Sequence, residues 1–193
     1  MSRKHNTNNK NMQKLPTITI VVTGKNEKDF EKTIKSIEKQ KSFNVNILKN
    51  KDSVPEFFNS VSKDSEYYGF ISAGDQLSKD CLKEIMSKFS SSEFIGGVYS
   101  DITVKEKESI IDFYMPPHDQ QGFASLLACF PFFITKKVAE IKMDEQLKHL
   151  YGQNILFKAS MKYIINHIPK SLFNLKSREI DLESDMEYIR ANN

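Results

Sequence analysis

Asp75 stands in the stretch YYGFISAGDQLSKDCL, residues 67–82, where an aromatic and apolar run stops at Ser72-Ala73-Gly74-Asp75 and a helix-like pattern begins. A carboxylate at the edge of a buried strand can hold a hard divalent cation, provided a ligand brings further oxygens. It can equally finish a turn, because Gly-Asp favours turns and Asp caps helices. Other groups able to move protons are Asp101 at the end of an apolar segment, the Asp144-Glu145 pair, and His118 with Asp119 behind a Pro-Pro pair. His149 and His167 are expected on a helix edge and in a strand. Lys25 and Lys51 have the charge to pair with phosphates. No Cys/His spacing in the chain fits a zinc site.

The elements that must position these groups follow from the hydrophobic pattern. TITIVVT, residues 17–23, is a β-branched run and predicts a buried strand. The following helix, GKNEKDFEKTIKSIEKQ, has Phe30, Ile34 and Ile37 on one face and charges opposite, with Asn26 as N-cap. FNVNIL alternates as a half-buried strand, and Ser53 with Glu56 forms a capping box for a short helix to about residue 61. YYGFIS is the next strand, then a helix capped by Ser78 with Cys81, Leu82, Ile85, Met86 and Phe89 inward, then the strand GGVYSDITV. The second half predicts a helix in QGFASLLACF, a strand in PFFIT, short helices, a helix over YGQNILFKASMKY, and two short strands in IINHIP and SLFNL.

This alternation predicts an α/β protein, a three-layer sandwich around a central, mostly parallel sheet. Ligands of such sheets bind at the carboxyl ends of strands, beside the following helices. Residues 23–27, 50–53 and 72–75 would therefore line one rim.

Bulk properties fit this picture. The 193 residues are 39% hydrophobic and 27% charged, enough for one domain with a real core. The net charge of +3 comes from the beginning of the chain. Four of the 28 basic residues, Arg3, Lys4, Lys10 and Lys14, fall in residues 1–14, which leaves 24 against 25 acids. A near-neutral body gives no reason to expect nucleic acid, and membrane contact is expected to be peripheral at most. The longest apolar run, residues 122–135, is too short for a span and is broken by Pro131. The two cysteines, Cys81 and Cys129, read as reduced core thiols of a cytoplasmic protein. Residues 1–15 read as a disordered basic tail without a signal-peptide core, 16–176 as one domain, and 177–193 as a polar extension.

In this order, the segments resemble family 2 glycosyltransferases, which have the GT-A fold. TITIVVTGKNEKDFEKTIKSIEKQ looks like the family's opening strand and helix, and YYGFISAGDQLSKDCLKEI like the strand carrying its Asp-x-Asp metal motif. GGVYSDI, PFFITKKVAEIKMDEQLK and FKASMKYIINHIPKSLFNL are similar to the later strands, the Phe-Asp-Glu turn and the closing helix and strand, so the likeness covers about residues 16 to 175. The resemblance implies sugar transfer from a nucleotide-sugar donor to a glycan, lipid-linked or protein acceptor, in polysaccharide biosynthesis, with self-association left open. It implies Thr23, Gly24, Asn26, Glu27, Asp52, Ser72 and Gly74 for the donor, Asp75 for Mg2+ or Mn2+, and Asp144, Glu145 or Asp101 as catalytic candidates.

The departures from the family's pattern are specific. Ser72 and Gly74 stand where it has acids, the opening turn has only Asn26 of its motif, and Gly152, Gln153 and Asn154 stand where a helix normally presents the catalytic acid. The alternative expectation is therefore a catalytically inactive GT-A-like domain that acts as a binding or structural module.

Overall fold

The computed structural model describes residues 15–106, 109–117, 130–178 and 182–192. Ile18, Ile20, Val21 and Val22 are buried in the first strand, β1 (Thr17–Thr23), as its β-branched run requires. It is followed by α1 (Glu27–Glu38), β2 (Asn44–Asn50), α2 (Val54–Ser60) and β3 (Tyr67–Ser72). Then come β4 (Gln76–Leu77), α3 (Cys81–Ser91), β5 (Ile95–Glu106), β6 (Ser109–Phe113), β7 (Phe132–Thr135), α4 (Lys136–Ala139), α5 (Tyr151–Ser160), β8 (Ile164–Lys176) and α6 (Glu183–Asn192).

The strands form one sheet in the order β2-β1-β3-β7-β5-β8-β4, with β6 paired to β5. β1, β2, β3, β5 and β8 run one way; β7, β4 and β6 run against them. Helices cover both faces. Phe58 of α2 packs on Tyr68 and Phe70, with centroids 5.5 and 4.8 Å apart, and Tyr151 of α5 reaches Phe70 on that same face. Tyr67 points the other way and meets Phe89 of α3 at 4.8 Å. Neighbouring strand residues alternate faces, so α2 and α5 lie on one side and α3 on the other. Gln40, just past α1, bonds Leu82 of α3 and places α1 on the α3 side. Fully buried aromatics such as Phe30, Phe58, Phe132 and Phe133 each contribute about 1.5–3 kcal/mol through lost apolar exposure.

Three local expectations change, and a fourth lies outside the described residues. Ser53 occupies the N-cap of α2 but makes no side-chain cap bond, so the capping box does not form. Ser78 is not the cap of α3; Asp80 is, because the backbone of Ser78 is engaged by Leu172 and Gln40. The two closing strands are one, β8, bent by register shifts against β5. The helix expected in residues 121–130 lies outside the described residues apart from Phe130.

Candidate functional site

The carboxyl ends of β1, β2 and β3 are level. Thr23 pairs with Asn50 on one side and with Ser72 on the other. The turns beyond them touch: Gly24 N–H donates to Asn50 O at 3.0 Å and Ala73 N–H to Thr23 O at 2.7 Å. A Cβ on Gly24 would stand 2.5 Å from that of Ala73, so only glycine allows this approach. Asn26 caps α1 by accepting from Lys28 and Asp29 at 3.0 and 3.3 Å. Asn50 is buried and folds its own turn, bonding Asp52 N–H and the Asp52 and Ser53 carbonyls. Asp52 is exposed beside it. Glu27, also exposed, pairs with Lys49 at 2.6 Å and Lys51 at 3.8 Å. The bond and charge of Lys49 hold its carboxyl below the usual range.

The Ser72–Asp75 turn is held from the α1 side by a polar stripe. Asp29, Thr33, Ser36 and Gln40 are spaced 4, 3 and 4 apart, on one helical face, and all are buried. The Thr33 hydroxyl accepts Gly74 N–H at 2.9 Å and donates to Asp75 O at 2.7 Å. Ser36 accepts Leu77 N–H at 3.1 Å, and Gln40 donates to Ser78 O and accepts Leu82 N–H at 2.8 and 3.2 Å. Gly74 itself has φ +99°, which disfavours any side chain. The sequence pattern did not show this stripe, because Thr, Ser and Gln resemble an ordinary solvated face.

Asp75 is fully buried. Its Oδ1 accepts Lys176 N–H at 2.9 Å and is paired with the Arg178 guanidinium. Its Oδ2 is buried without a partner among the described residues. Burial pushes the carboxyl up to about 6, against the opposing pull of Arg178 and the backbone donors. A second ion pair joins Lys176 Nζ to Asp29 Oδ2 at 2.7 Å across Gly74.

These residues do not fit a divalent cation. Mg2+ or Mn2+ needs several oxygens around an accessible centre. Ser72 and Gly74 bring no carboxylate, and each of the two acids beside the turn carries its own cation. Among the described residues, no three His, Cys, Asp or Glu side chains converge on a metal position.

Across the sheet, on the α5 face, lies a pair that the sequence did not single out as a unit. His167 Nε2 is 2.7 Å from Asp101 Oδ1, which also accepts Met115 N–H at 2.8 Å. The imidazole packs on Tyr99 at 5.2 Å. Both members are largely buried, with 11% and 5% of their side chains exposed. Burial and the Asp101 charge raise the Tyr99 phenol well above its ordinary range. Asp101 does not end its strand as expected but lies inside β5, which runs on to Glu106. Its partner His167 stands opposite Tyr99 in the register and is 66 residues away in the chain, so sequence spacing does not show the pair.

Ser72 belongs to this face. Phe70, Phe132 and Tyr99 are in register across β3, β7 and β5, and Ser72 and Asp101 stand two residues beyond Phe70 and Tyr99. Asp144 and Glu145 lie elsewhere, in a hollow of about 330 Å3 with Lys142, Gln146 and Lys158. Asp144 accepts Gln146 N–H and Tyr188 O–H, and Glu145 bonds Asn59 and Lys142. In α5, Gly152 packs on the Phe132 ring and Gln153 is buried. His118 and Asp119 lie outside the described residues.

No family model matches the sequence, and no curated protein matches it. Solved structures do. TarS 1–349 of S. aureus superposes with a TM-score of 0.65 at 13% identity, covering 91% of this chain and 64% of that one. The same TarS fragment with UDP-GlcNAc gives 0.62 at 13% identity, over 86% and 60%. Mannosyltransferase PcManGT from Pyrobaculum calidifontis, in complex with GDP-Man and Mn2+, gives 0.58 at 9% identity, over 93% and 61%. This chain has the GT-A-type fold of glycosyltransferases. It spans less than two thirds of the length of the chain in each of these three structures. Among the described residues of this GT-A-type chain, no helix is long and apolar enough to cross a membrane.

Proposed function

We propose that this protein binds a nucleotide sugar across the ends of β1, β2 and β3 and transfers the sugar to a hydroxyl of a glycan or lipid-linked acceptor. The observation that carries this reading is the level rim of Thr23, Asn50 and Ser72, where open α/β sheets take nucleotides. It stands on a fold shared with proteins solved with UDP-GlcNAc and GDP-Man.

The Asp101–His167 pair supplies the acceptor-side chemistry in this reading. An ionised carboxylate only accepts, so Asp101 holds the proton on Nε2 and leaves the Nδ1 lone pair free. Nδ1 takes the acceptor hydroxyl proton as its oxygen bonds to the sugar C1. The bond from C1 to the diphosphate oxygen breaks, and the nucleoside diphosphate leaves with the electron pair.

Thermal shift with UDP- and GDP-linked hexoses tests the donor site, because a ligand of the folded state raises the melting point. Binding is expected for one nucleotide class, with loss in Ser72→Phe, which fills the rim. Donor binding without release of nucleoside diphosphate to any acceptor supports the second reading, a binding domain, which the missing acids at Ser72 and Gly74 favour. No shift with any nucleotide sugar would remove both.

A further inference from the structure

A diphosphate bound at the rim needs positive charge, and the turn after β3 holds two cationic side chains of the chain itself. We propose that Arg178 and Lys176 bind the diphosphate directly, so that donor binding does not depend on a divalent metal. The inference rests on the donor-site reading above.

Three observations carry it. Lys176 lies across the turn: a Cβ on Gly74 would stand 2.9 Å from its Cδ, and its ammonium reaches Asp29 on α1. Arg178 stands on Asp75, directly after that glycine. Both cations are fixed by acids that are buried or nearly so, yet 53% of the Lys176 side chain and 27% of the Arg178 side chain remain exposed.

Among the described residues, their donor capacity is not used up. A guanidinium has five N–H donors in a planar fork that suits phosphate. Arg178 spends Nε on Lys176 O at 3.2 Å and one Nη2 donor on Asp75. An ammonium has three donors, and Lys176 spends one on Asp29 at 2.7 Å. The rest can meet phosphate oxygens as charge-assisted bonds. Asp29 and Asp75 are each paired with one of these cations, so neither carboxylate stands without a counter-charge to draw a divalent ion to the turn.

Calorimetric titration with UDP and with GDP tests this, once in EDTA and once with Mn2+. The wild-type dissociation constant for the nucleotide that binds is expected to agree within about two-fold between the two conditions. Arg178→Gln alone strands a buried carboxylate, so the variant to measure is Arg178→Gln with Asp75→Asn, which keeps an oxygen for Lys176 N–H. Lys176→Gln, at a half-exposed position, serves as a second variant should the double substitution fail to fold. Each is expected to weaken binding about ten-fold or more in both conditions, the size of a lost charge-assisted bond. Binding that appears only with Mn2+, or variants that bind like wild type, would overturn the inference and leave the donor site standing. No binding of either nucleotide in either condition would overturn the donor-site reading together with it.

Discussion

Asp185 of α6 caps a helix to which it does not belong: its Oδ2 accepts the N–H of Leu150, the N-cap residue of α5, at 2.8 Å. The same carboxylate takes Lys148 N–H at 3.0 Å and His149 N–H at 2.6 Å, and it is fully buried. The turn leading into α5, up to its N-cap Leu150, is therefore held by a residue 35 positions away. Asp185→Ala leaves the buried Leu150 N–H and the half-buried bonds of Lys148 and His149 without this acceptor and is expected to lower stability by about 1–3 kcal/mol in urea unfolding. Asp185→Asn, which keeps one acceptor oxygen, is expected to lose less. An unchanged midpoint in the alanine variant would mean that α6 contributes nothing to the fold.

Thr33→Val tests the polar stripe on α1. Valine has the same shape but cannot accept Gly74 N–H or donate to Asp75 O. Gly74 N–H keeps Asp29 O as an acceptor at 3.1 Å, so the buried group left unpaired is Asp75 O, and the expected loss is about 1–3 kcal/mol. The turn at Gly74 should also exchange its amide protons faster than the rest of β3. A variant as stable and as protected as wild type would show that the stripe does not hold the turn.

Asp75 gives stability a pH dependence of unusual sign. Its carboxyl is raised to about 6 in the fold from 3.8, chiefly by burial. Between those values the folded state binds a proton that the unfolded state has lost, so this group makes stability fall as pH rises from about 4 to about 6. The integrated loss is about 3 kcal/mol above that window. Glu27 and Glu145 act oppositely: bonds to Lys49, and to Asn59 and Lys142, lower their values, so their contribution is lost as pH falls below the ordinary carboxylate range. The melting point should therefore be higher near pH 5 than near pH 7, and Asp75→Asn should flatten that slope. A slope unchanged in the variant would show that another group causes it.

The sheet was legible because its residues are chosen locally. TITIVVT and YYGFIS, at residues 17–23 and 67–72, match β1 and β3 in full, and the inward face of α3 follows from apolar spacing alone, whereas α1 buries Asp29, Thr33 and Ser36 beside Phe30 and Ile37. The site was less so. Asp75 was visible as a carboxylate after a strand, but its partner is Arg178, 103 residues later, and sequence spacing carries no sign of that contact. For the same reason Asp185 read as part of a polar tail. Asn26 was found because capping is local; Ser78 was misplaced as a cap because a long-range bond to Leu172 claims its backbone.

The Asp101–His167 pair makes the most demanding prediction about function. If His167 takes the acceptor proton, His167→Ala should lower the transfer rate about 100-fold or more, the usual worth of a positioned base. Affinity for the nucleoside diphosphate should stay within about two-fold, because the donor rim at Thr23 and Ser72 is unchanged. Asp101→Asn is the companion test. An amide can donate to Nε2 and so favour the tautomer that protonates Nδ1, the nitrogen that must stay free. It should therefore lower kcat while leaving the donor KM unchanged, whereas a merely structural Asp101 would show itself as a lower melting point with activity retained per folded molecule. Transfer in His167→Ala at a rate near wild type would place the base elsewhere. Asp144 and Glu145 would then be the next acids to replace, since they line the hollow near α6.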